Sequence, residues 1–181
     1  MPHHNVKLNP LLASAVSGDR YYSPVLIQWD VRFLPRRSAR VAGEPITPHQ
    51  LSQMATIPPV SRLRVISGLL SDNWPITVYN PEGVTVEDVL GAIHEALYAP
   101  LTISEWELMS PRKRARIEEI FYARCRASRD FERTRQGGVR RADCMITSTT
   151  FAGLSSLTLR HNRWEVVMTL SRDFSARHQY A

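Results

Sequence analysis

Polar side chains spaced two residues apart occur in two otherwise apolar stretches of this sequence, and on a strand such side chains share one face. They are Gln28, Asp30 and Arg32 in the first stretch, and Arg140 or Arg141 with Asp143 offers a similar pattern in the second. If the two strands are neighbours, carboxylates and guanidinium groups alternate across the sheet. Arginine offers a rigid fork of donors for carboxylate or phosphate, so a ligand site is predicted at Gln28, Asp30, Arg32, Arg140 and Arg141. The alternative is a cross-strand ion-pair network that holds the sheet in register.

A second candidate is His94, which lies at the border of the apolar stripe of a predicted helix, with Glu87 seven residues before it and Tyr98 four after it. An imidazole held in this way could act as a general base. In such an enzyme the acid–base candidates are Asp30, His94 and Asp143, and the oxyanion is held by Arg32 or Arg140. The hypothesis requires Asp30, Arg32, His94 and Asp143 to line one cavity. The alternative is a boundary histidine whose ring nitrogen is satisfied by the fold.

Motifs for nucleophilic catalysis, metal binding and phosphate loops are absent. The sequence has no Gly-x-Ser-x-Gly, no Gly-x-Gly-x-x-Gly, no P-loop, no Cys-x-x-Cys and no His-x-x-x-His. Cys125 lies on a predicted buried helical stripe and Cys144 in a predicted strand, where a thiol is usually an inert small hydrophobe. We therefore predict no metal and no cofactor, and leave open whether the protein is an enzyme.

Basic residues are concentrated in residues 112–141, which hold eleven of them against four acidic ones, whereas the whole chain has a formal charge of +6. Such a stripe is typical of phosphate-binding surfaces, and nucleic-acid binding through Arg112 to Arg141 is one hypothesis. The favoured alternative is a solvated helix face and loop, in which Arg114 pairs with Glu118 and Arg116 with Glu119. No ring of interleaved aromatic side chains accompanies these arginines, so bases would have no surface on which to stack.

Composition limits the class of protein. The 181 residues suit one domain, and 43% apolar with 22% charged residues are globular values. No apolar run reaches the roughly 18 residues of a membrane span, and no apolar secretion signal is evident. We predict a soluble protein with no membrane association, located inside the cell, in the cytoplasm or the nucleus. Its expected partner is an unknown protein or an anionic ligand.

Hydrophobic periodicity and capping signals place these residues on elements. Strands are predicted at residues 25–33, 63–67, 76–79, 139–146 and 164–170, and helices at residues 85–99, after Thr102 and at 111–127. Residues 129–138 are predicted as a loop and residues 151–154 as a small strand or turn. This order predicts an α+β fold, with an antiparallel or mixed sheet of about five strands and two to three helices packed on one face.

The ends of the chain and one internal stretch are less regular. Residues 1–23 are predicted as an N-terminal arm that docks through Leu11 and Leu12, residues 24–171 as a single α+β domain, and residues 172–181 as a tail. Residues 34–60 hold five of the twelve prolines, so we predict a long Pro-rich loop with one short helix starting at Thr47 and Pro48. A loop of this length is either a packed belt or a functional surface.

Several motifs occur in a recognisable order along the chain. They are Asn9-Pro10-Leu11-Leu12, Trp29-Asp30-Val31-Arg32, Pro58-Pro59, Leu63-Arg64-Val65, Trp74-Pro75-Ile76-Thr77-Val78, Val84-Thr85-Val86-Glu87-Asp88-Val89-Leu90, Gly138-Val139-Arg140-Arg141-Ala142-Asp143 and Phe151-Ala152-Gly153-Leu154. As a set they resemble a domain-of-unknown-function family abundant in mushroom-forming fungi, from about Asn9 to Leu170. The resemblance implies a fungal, intracellular setting and supports the fold boundaries. It implies no activity, cofactor or catalytic residue.

The favoured function is therefore a non-catalytic binding or interaction module. It would present the Pro-rich loop and the Arg-rich helix and loop to a protein or anionic ligand. A small enzyme with a polar pocket between the first strand and the His94 helix is the alternative. Nucleic-acid binding is the weaker third hypothesis.

Overall fold

The computed structural model describes residues 5–14 and 27–172 of the chain. Most of the predicted arm and nearly all of the predicted tail lie outside the described residues. The boundaries of the arm, the domain and the tail therefore stay predictions.

The described residues form short strands and helices first, longer helices in the middle and two long strands last. The strands are β1 (Lys7–Leu8), β2 (Ile27–Gln28), β3 (Arg40–Val41), β4 (Glu44–Pro45), β5 (Thr56–Ile57), β6 (Arg62–Ile66), β7 (Ile76–Tyr79), β8 (Thr150–Arg160) and β9 (Arg163–Ser171). The helices are α1 (Pro35–Ser38), α2 (Pro48–Leu51), α3 (Val86–Tyr98), α4 (Ile103–Glu107), α5 (Pro111–Ala127) and α6 (Phe131–Gln136), with a 3₁₀ helix at Arg141–Met145.

The main sheet has four strands in the order β7-β6-β9-β8. The pair β6–β9 is parallel, whereas β6–β7 and β8–β9 are antiparallel, so the sheet is mixed. Two small sheets, β1-β5 and β2-β3-β4, accompany it. The predicted α+β class is confirmed. Within residues 5–14 and 27–172 the strands are divided among three sheets, and the largest has four strands where about five were predicted.

One face of the main sheet forms the core with α3. Leu63 and Val65 of β6 and Ile76 and Val78 of β7 are buried, as the alternation of apolar residues predicts. The buried stripe of α3 is the predicted one, namely Val86, Val89, Leu90, Ile93 and Leu97. Each fully buried aliphatic side chain contributes about 1.5–3 kcal/mol, so this contact between helix and sheet contributes substantially to the stability of the fold.

The predicted strand over residues 25–33 is wrong beyond Gln28. The carboxylate of Asp30 accepts a hydrogen bond from the backbone N–H of Arg32 at 3.0 Å, and this side-chain bond turns the chain. Trp29 and Val31 are still buried and bond to β8 and the residue before it, but Phe33 is 56% exposed rather than inward.

The predicted strand over residues 139–146 is also wrong, because residues 141–145 form the 3₁₀ helix. The carboxylate of Asp143 points inward and accepts from the backbone N–H of Arg140 at 2.7 Å, which closes the turn. Cys144 therefore lies in this helix and not in a strand. The loop predicted for residues 129–138 contains α6, whose first turn is capped by the side chain of Asp130.

Residues 151–154, predicted as a small strand or turn, are part of the long strand β8. The N-terminal segment packs against this strand. Leu11 and Leu12 are buried, and the backbone of Ser14 bonds to that of Leu154 at 2.8 Å. At Gly153, φ is +95°, and a Cβ there would lie 2.6 Å from Cα of Ser14. Only glycine permits this close approach of the two chain segments.

Candidate functional site

The two polar stretches, at residues 28–32 and 140–143, do not form neighbouring strands in the structure. Gln28 is exposed on β2, and Asp30 forms an ion pair with Arg32 inside its own turn. The guanidinium of Arg32 donates from Nε to Oδ1 at 3.0 Å and from Nη2 to Oδ2 at 2.5 Å. This pair fixes the turn rather than the register of a sheet, so neither predicted arrangement is formed there.

Asp143 is fully buried and holds a different arginine. The guanidinium of Arg124, on α5, donates to Oδ1 of Asp143 at 2.9 Å and to Oδ2 at 2.8 Å. It also donates to the carbonyl oxygen of Gly138 at 2.9 Å. Burial alone would lower the pKa of Arg124, but the hydrogen bonds and charge of Asp143 outweigh it and raise the pKa. The geometry favours a structural role for Asp143, since it joins α5 to the 3₁₀ helix.

His94 is bound by the fold at one ring nitrogen. Its Nδ1 donates to the carbonyl oxygen of Val31 at 3.0 Å, and its ring stacks on Tyr98 with 5.5 Å between centroids. The carboxylate of Glu87 pairs instead with Arg36 on α1. Of the expected group of Glu87, His94 and Tyr98, only His94 and Tyr98 are in contact with each other, through their stacked rings.

The turn after Trp29, α1 and the C-terminal half of α3 enclose a surface groove of about 580 Å³. Its lining residues are Arg32, Phe33, Leu34, Arg37, Ser38, His94 and Tyr98. The groove exists because the Asp30 turn sends the chain away from β8 and leaves Phe33 and Leu34 on the surface. These two side chains are 56% and 52% exposed, and Tyr98 is 49% exposed.

Guanidinium groups border this groove. Arg32 and Arg37 line it, and Arg140 stacks over the ring of Tyr98 with 4.6 Å between its guanidinium carbon and the ring centroid. Among the described residues no carboxylate forms an ion pair with Arg37 or Arg140. The groove therefore combines exposed apolar side chains with positive charge at its edge.

Arg141 lies in a separate contact. Its guanidinium stacks over Trp74 at 5.1 Å and donates to the carboxylate of Glu105 at 3.2 Å. Glu105 also accepts from the indole N–H of Trp74 and from the backbone N–H of Thr102. Desolvation would raise the pKa of Glu105, but the bonds from Thr102 and Trp74 and the charge of Arg141 lower it.

Other arginines of residues 112–141 are also held by the fold. Arg114 donates to the carbonyl oxygens of Glu107 and Met109, which close α4, instead of pairing with Glu118 as predicted. The predicted pair of Arg116 and Glu119 is confirmed, at 3.7 Å. Arg114, Arg124 and Arg141 are therefore held within the molecule, whereas seven of the eleven basic residues in this stretch are exposed.

Neither thiol is in a reactive setting. Cys125 and Cys144 are both free and buried, and desolvation raises the pKa of Cys144 to about 11. Among residues 5–14 and 27–172 no three His, Cys, Asp or Glu side chains come together in a way that could hold a metal ion. No helix in this part of the chain is long and apolar enough to cross a membrane.

Of the predicted ligand residues, the groove contains Arg32 and borders Arg140, while Gln28, Asp30 and Arg141 lie outside its lining. Sequence reasoning missed Phe33, Leu34, Arg37 and Ser38, because strict alternation assigned Phe33 to the core. The signal that could have found them is Asp30 two residues before Arg32, a spacing typical of an Asx turn.

Comparison with known proteins gives one match. A family model described as a family of unknown function, DUF6699, matches residues 27–165. No curated protein and no solved structure matches the chain.

Proposed function

Since this chain belongs to the DUF6699 family, whose function is unknown, we propose a function from the geometry: a binding module whose groove accepts a short protein segment. The segment carries an aliphatic or aromatic side chain next to acidic residues. The observation that carries this proposal is the groove of about 580 Å³, with exposed apolar side chains inside and arginines at its edge.

The apolar part of the groove supplies the affinity in this proposal. Phe33, Leu34 and Tyr98 are each about half exposed and lie together on one concave surface. Covering apolar surface is worth about 25 cal/mol per Å², so one inserted side chain gives a useful share of the binding energy. A peptide that enters such a groove is anchored by one or two residues, while its other contacts exclude water.

The arginines at the edge select the charge of the partner. Arg37 and Arg140 are near the apolar side chains and form no ion pair with another described residue. An acidic residue beside the inserted side chain would complement them and would speed association. Leu34, Arg37 and Ser38 belong to α1 and its N-cap, in the stretch predicted as a Pro-rich loop with one short helix, and Arg140 belongs to the Arg-rich stretch.

An enzyme is not proposed. That hypothesis required Asp30, Arg32, His94 and Asp143 to line one cavity, and only Arg32 and His94 line the groove. Asp143 has no exposed surface. The location of the protein, in the cytoplasm or the nucleus, stays a prediction from the sequence.

The test is a selection from a random peptide library displayed on phage, followed by affinity measurements on the selected peptides. We expect peptides with an apolar residue beside Asp or Glu. Leu34→Ala should weaken their binding about tenfold, the effect of losing roughly 1.4 kcal/mol. Arg37→Glu should weaken it further for the most acidic peptides.

The matched controls are Leu108→Ala and Arg112→Glu, since Leu108 is 84% exposed and both residues are outside the groove. Neither control should change affinity. The proposal is overturned if no peptide is enriched, or if the groove variants and the controls weaken binding equally.

A further inference from the structure

We propose that the solvent-facing side of the main sheet carries a second site, which binds a phosphate group between Arg62, Arg64 and Arg163. These residues are far apart in the sequence and lie on β6 and β9. The site shares no lining residue with the groove. The phosphate-site proposal can therefore be tested independently of the proposed function of the groove.

Strand register brings the arginines together. Leu63 of β6 pairs in parallel with Trp164 of β9, so the residues before them, Arg62 and Arg163, lie side by side. Across the antiparallel pair β8–β9, Arg163 is directly opposite Arg160. Arg62, Arg163 and Arg160 thus form a row across three neighbouring strands, which we call the arginine row.

The arginine row is not neutralised within the sheet. Arg64, one position further along the same face, pairs with Glu165 at 3.4 Å. Among residues 5–14 and 27–172 no carboxylate forms an ion pair with Arg62, Arg160 or Arg163. Like charges directly opposite on neighbouring strands destabilise a sheet, so an anion at this place would relieve repulsion as well as form new bonds.

A pocket of suitable size lies over these residues. Its volume is about 280 Å³, and its lining is Arg62, Arg64, Pro75, Thr77, Arg163 and Trp164. Two of the guanidinium groups are already positioned, since Arg62 stacks over Tyr79 at 5.3 Å and Arg64 is held by Glu165. Positioned donors lose less conformational entropy when they bind a ligand.

The donors favour phosphate over the other common oxyanions. The guanidinium forks of Arg62 and Arg163, the donors of Arg64 that Glu165 does not accept, and the hydroxyl of Thr77 together exceed what the two oxygens of a carboxylate accept. A phosphate group presents more acceptor oxygens and close to two negative charges at neutral pH. The pocket is large enough for one phosphate group with a small substituent. A nucleic-acid strand is not favoured. The exposed ring of Tyr79, opposite Arg62 on β7, could stack on a base, but the guanidinium of Arg62 covers one of its faces.

Isothermal titration calorimetry with inorganic phosphate, in a low-salt buffer without phosphate, tests the site. We expect saturable binding, and no binding of acetate at the same concentration. Arg62→Gln and Arg163→Gln should each weaken phosphate binding about tenfold. Arg163→Lys should weaken phosphate binding less than Arg163→Gln does, because lysine keeps the positive charge but lacks the forked donors of the guanidinium.

Two controls separate this site from net charge and from the groove. Arg112→Gln removes an exposed charge on α5, and Leu34→Ala alters the groove; both should bind phosphate as the unaltered protein does. The proposal is overturned if the protein does not bind phosphate, if acetate binds equally well, or if Arg112→Gln weakens binding as much as Arg163→Gln. Tighter binding of oligouridylate per phosphate, lost in Arg163→Gln, would assign the surface to nucleic acid and overturn the proposal as well.

Discussion

The two arginine-rich regions of the molecule differ in where their partners come from. In residues 112–141 the arginines are close in sequence, and the fold supplies some of them with acceptors and aromatic rings: Asp143 for Arg124, and Glu105 and Trp74 for Arg141. Others, such as Arg112 and Arg129, are exposed. In the arginine row the residues come from distant parts of the chain, and the fold supplies one carboxylate nearby, which pairs with Arg64. A run of arginines in the sequence can therefore contain both structural and exposed members.

Arginine has two different roles in these two regions. An arginine that bonds to buried acceptors is part of the structure, and its removal leaves those acceptors without a partner. An arginine among other arginines destabilises the free protein slightly and is available to an anion. The arginine row is thus the surface on which we propose anion binding, although the sequence draws attention to residues 112–141.

The largest expected effect comes from breaking the buried ion pair. Arg124→Met should lower the free energy of unfolding by about 3–5 kcal/mol, because the charge of Asp143 stays buried without its partner. Urea denaturation measures the loss. The double substitution Arg124→Met with Asp143→Leu should recover only part of the stability, since it removes both charges but also the acceptor of the Arg140 N–H.

The comparison variant is Arg163→Met, in the arginine row. It should leave the free energy of unfolding within about 0.5 kcal/mol of the original value or raise it slightly. Equal destabilisation by Arg124→Met and Arg163→Met would show that the two regions do not differ in the proposed way.

An intermediate effect is expected on acidification. The folded pKa of Glu105 lies below its usual value of 4.5, so its stabilising contribution is present above pH 4.5 and is lost as the pH falls through the folded pKa. Glu105→Gln should therefore lower stability at pH 7, by about 1 kcal/mol, and should flatten the decline in Tm below pH 4.5. Thermal denaturation between pH 3 and pH 7, followed by tryptophan fluorescence, measures both.

The control for this measurement is Glu118→Gln, because the carboxylate of Glu118 on α5 is exposed. Its pH profile should match that of the unaltered protein. A profile for Glu105→Gln with an unchanged slope below pH 4.5 would contradict the contribution assigned to this carboxylate.

The smallest expected effect is the repulsion inside the arginine row. Arg160→Gln should raise the free energy of unfolding by a few tenths of a kcal/mol at low salt, and about 0.5 M NaCl should remove the gain. Chemical denaturation in a buffer without phosphate measures it. Arg129→Gln serves as the control, and an Arg160→Gln protein that is less stable at low salt would refute the repulsion.

Sequence reasoning succeeded where local signals and tertiary packing agree. For α3, the capping box of Thr85 and Asp88 and the apolar stripe both indicate the observed helix. It failed where one buried or bonded side chain overrides the alternation of residues. Asp30 and Asp143 each accept a backbone N–H nearby and turn a predicted strand into a turn or a 3₁₀ helix.

The two candidate sites were predictable to different degrees. Arg32 and Arg140 were predicted as ligand residues, and they are at the groove. The pairing that forms the arginine row depends on the register of β6 with β9, and nothing local in either strand specifies that register. A surface formed by the pairing of distant strands can be identified from the structure but not predicted from the sequence.

The parallel pairing of β6 with β9 also constrains how the protein folds. The partners Arg64 and Glu165 are 101 residues apart, so a large loop must close before the central pair of the sheet exists. Loop closure costs entropy, and structures dominated by distant contacts fold slowly. During synthesis β6 and β7 can form a hairpin early, but the inner edge of β6 has no partner until β9 has left the ribosome. We therefore expect the main sheet and the arginine row to be completed late in folding.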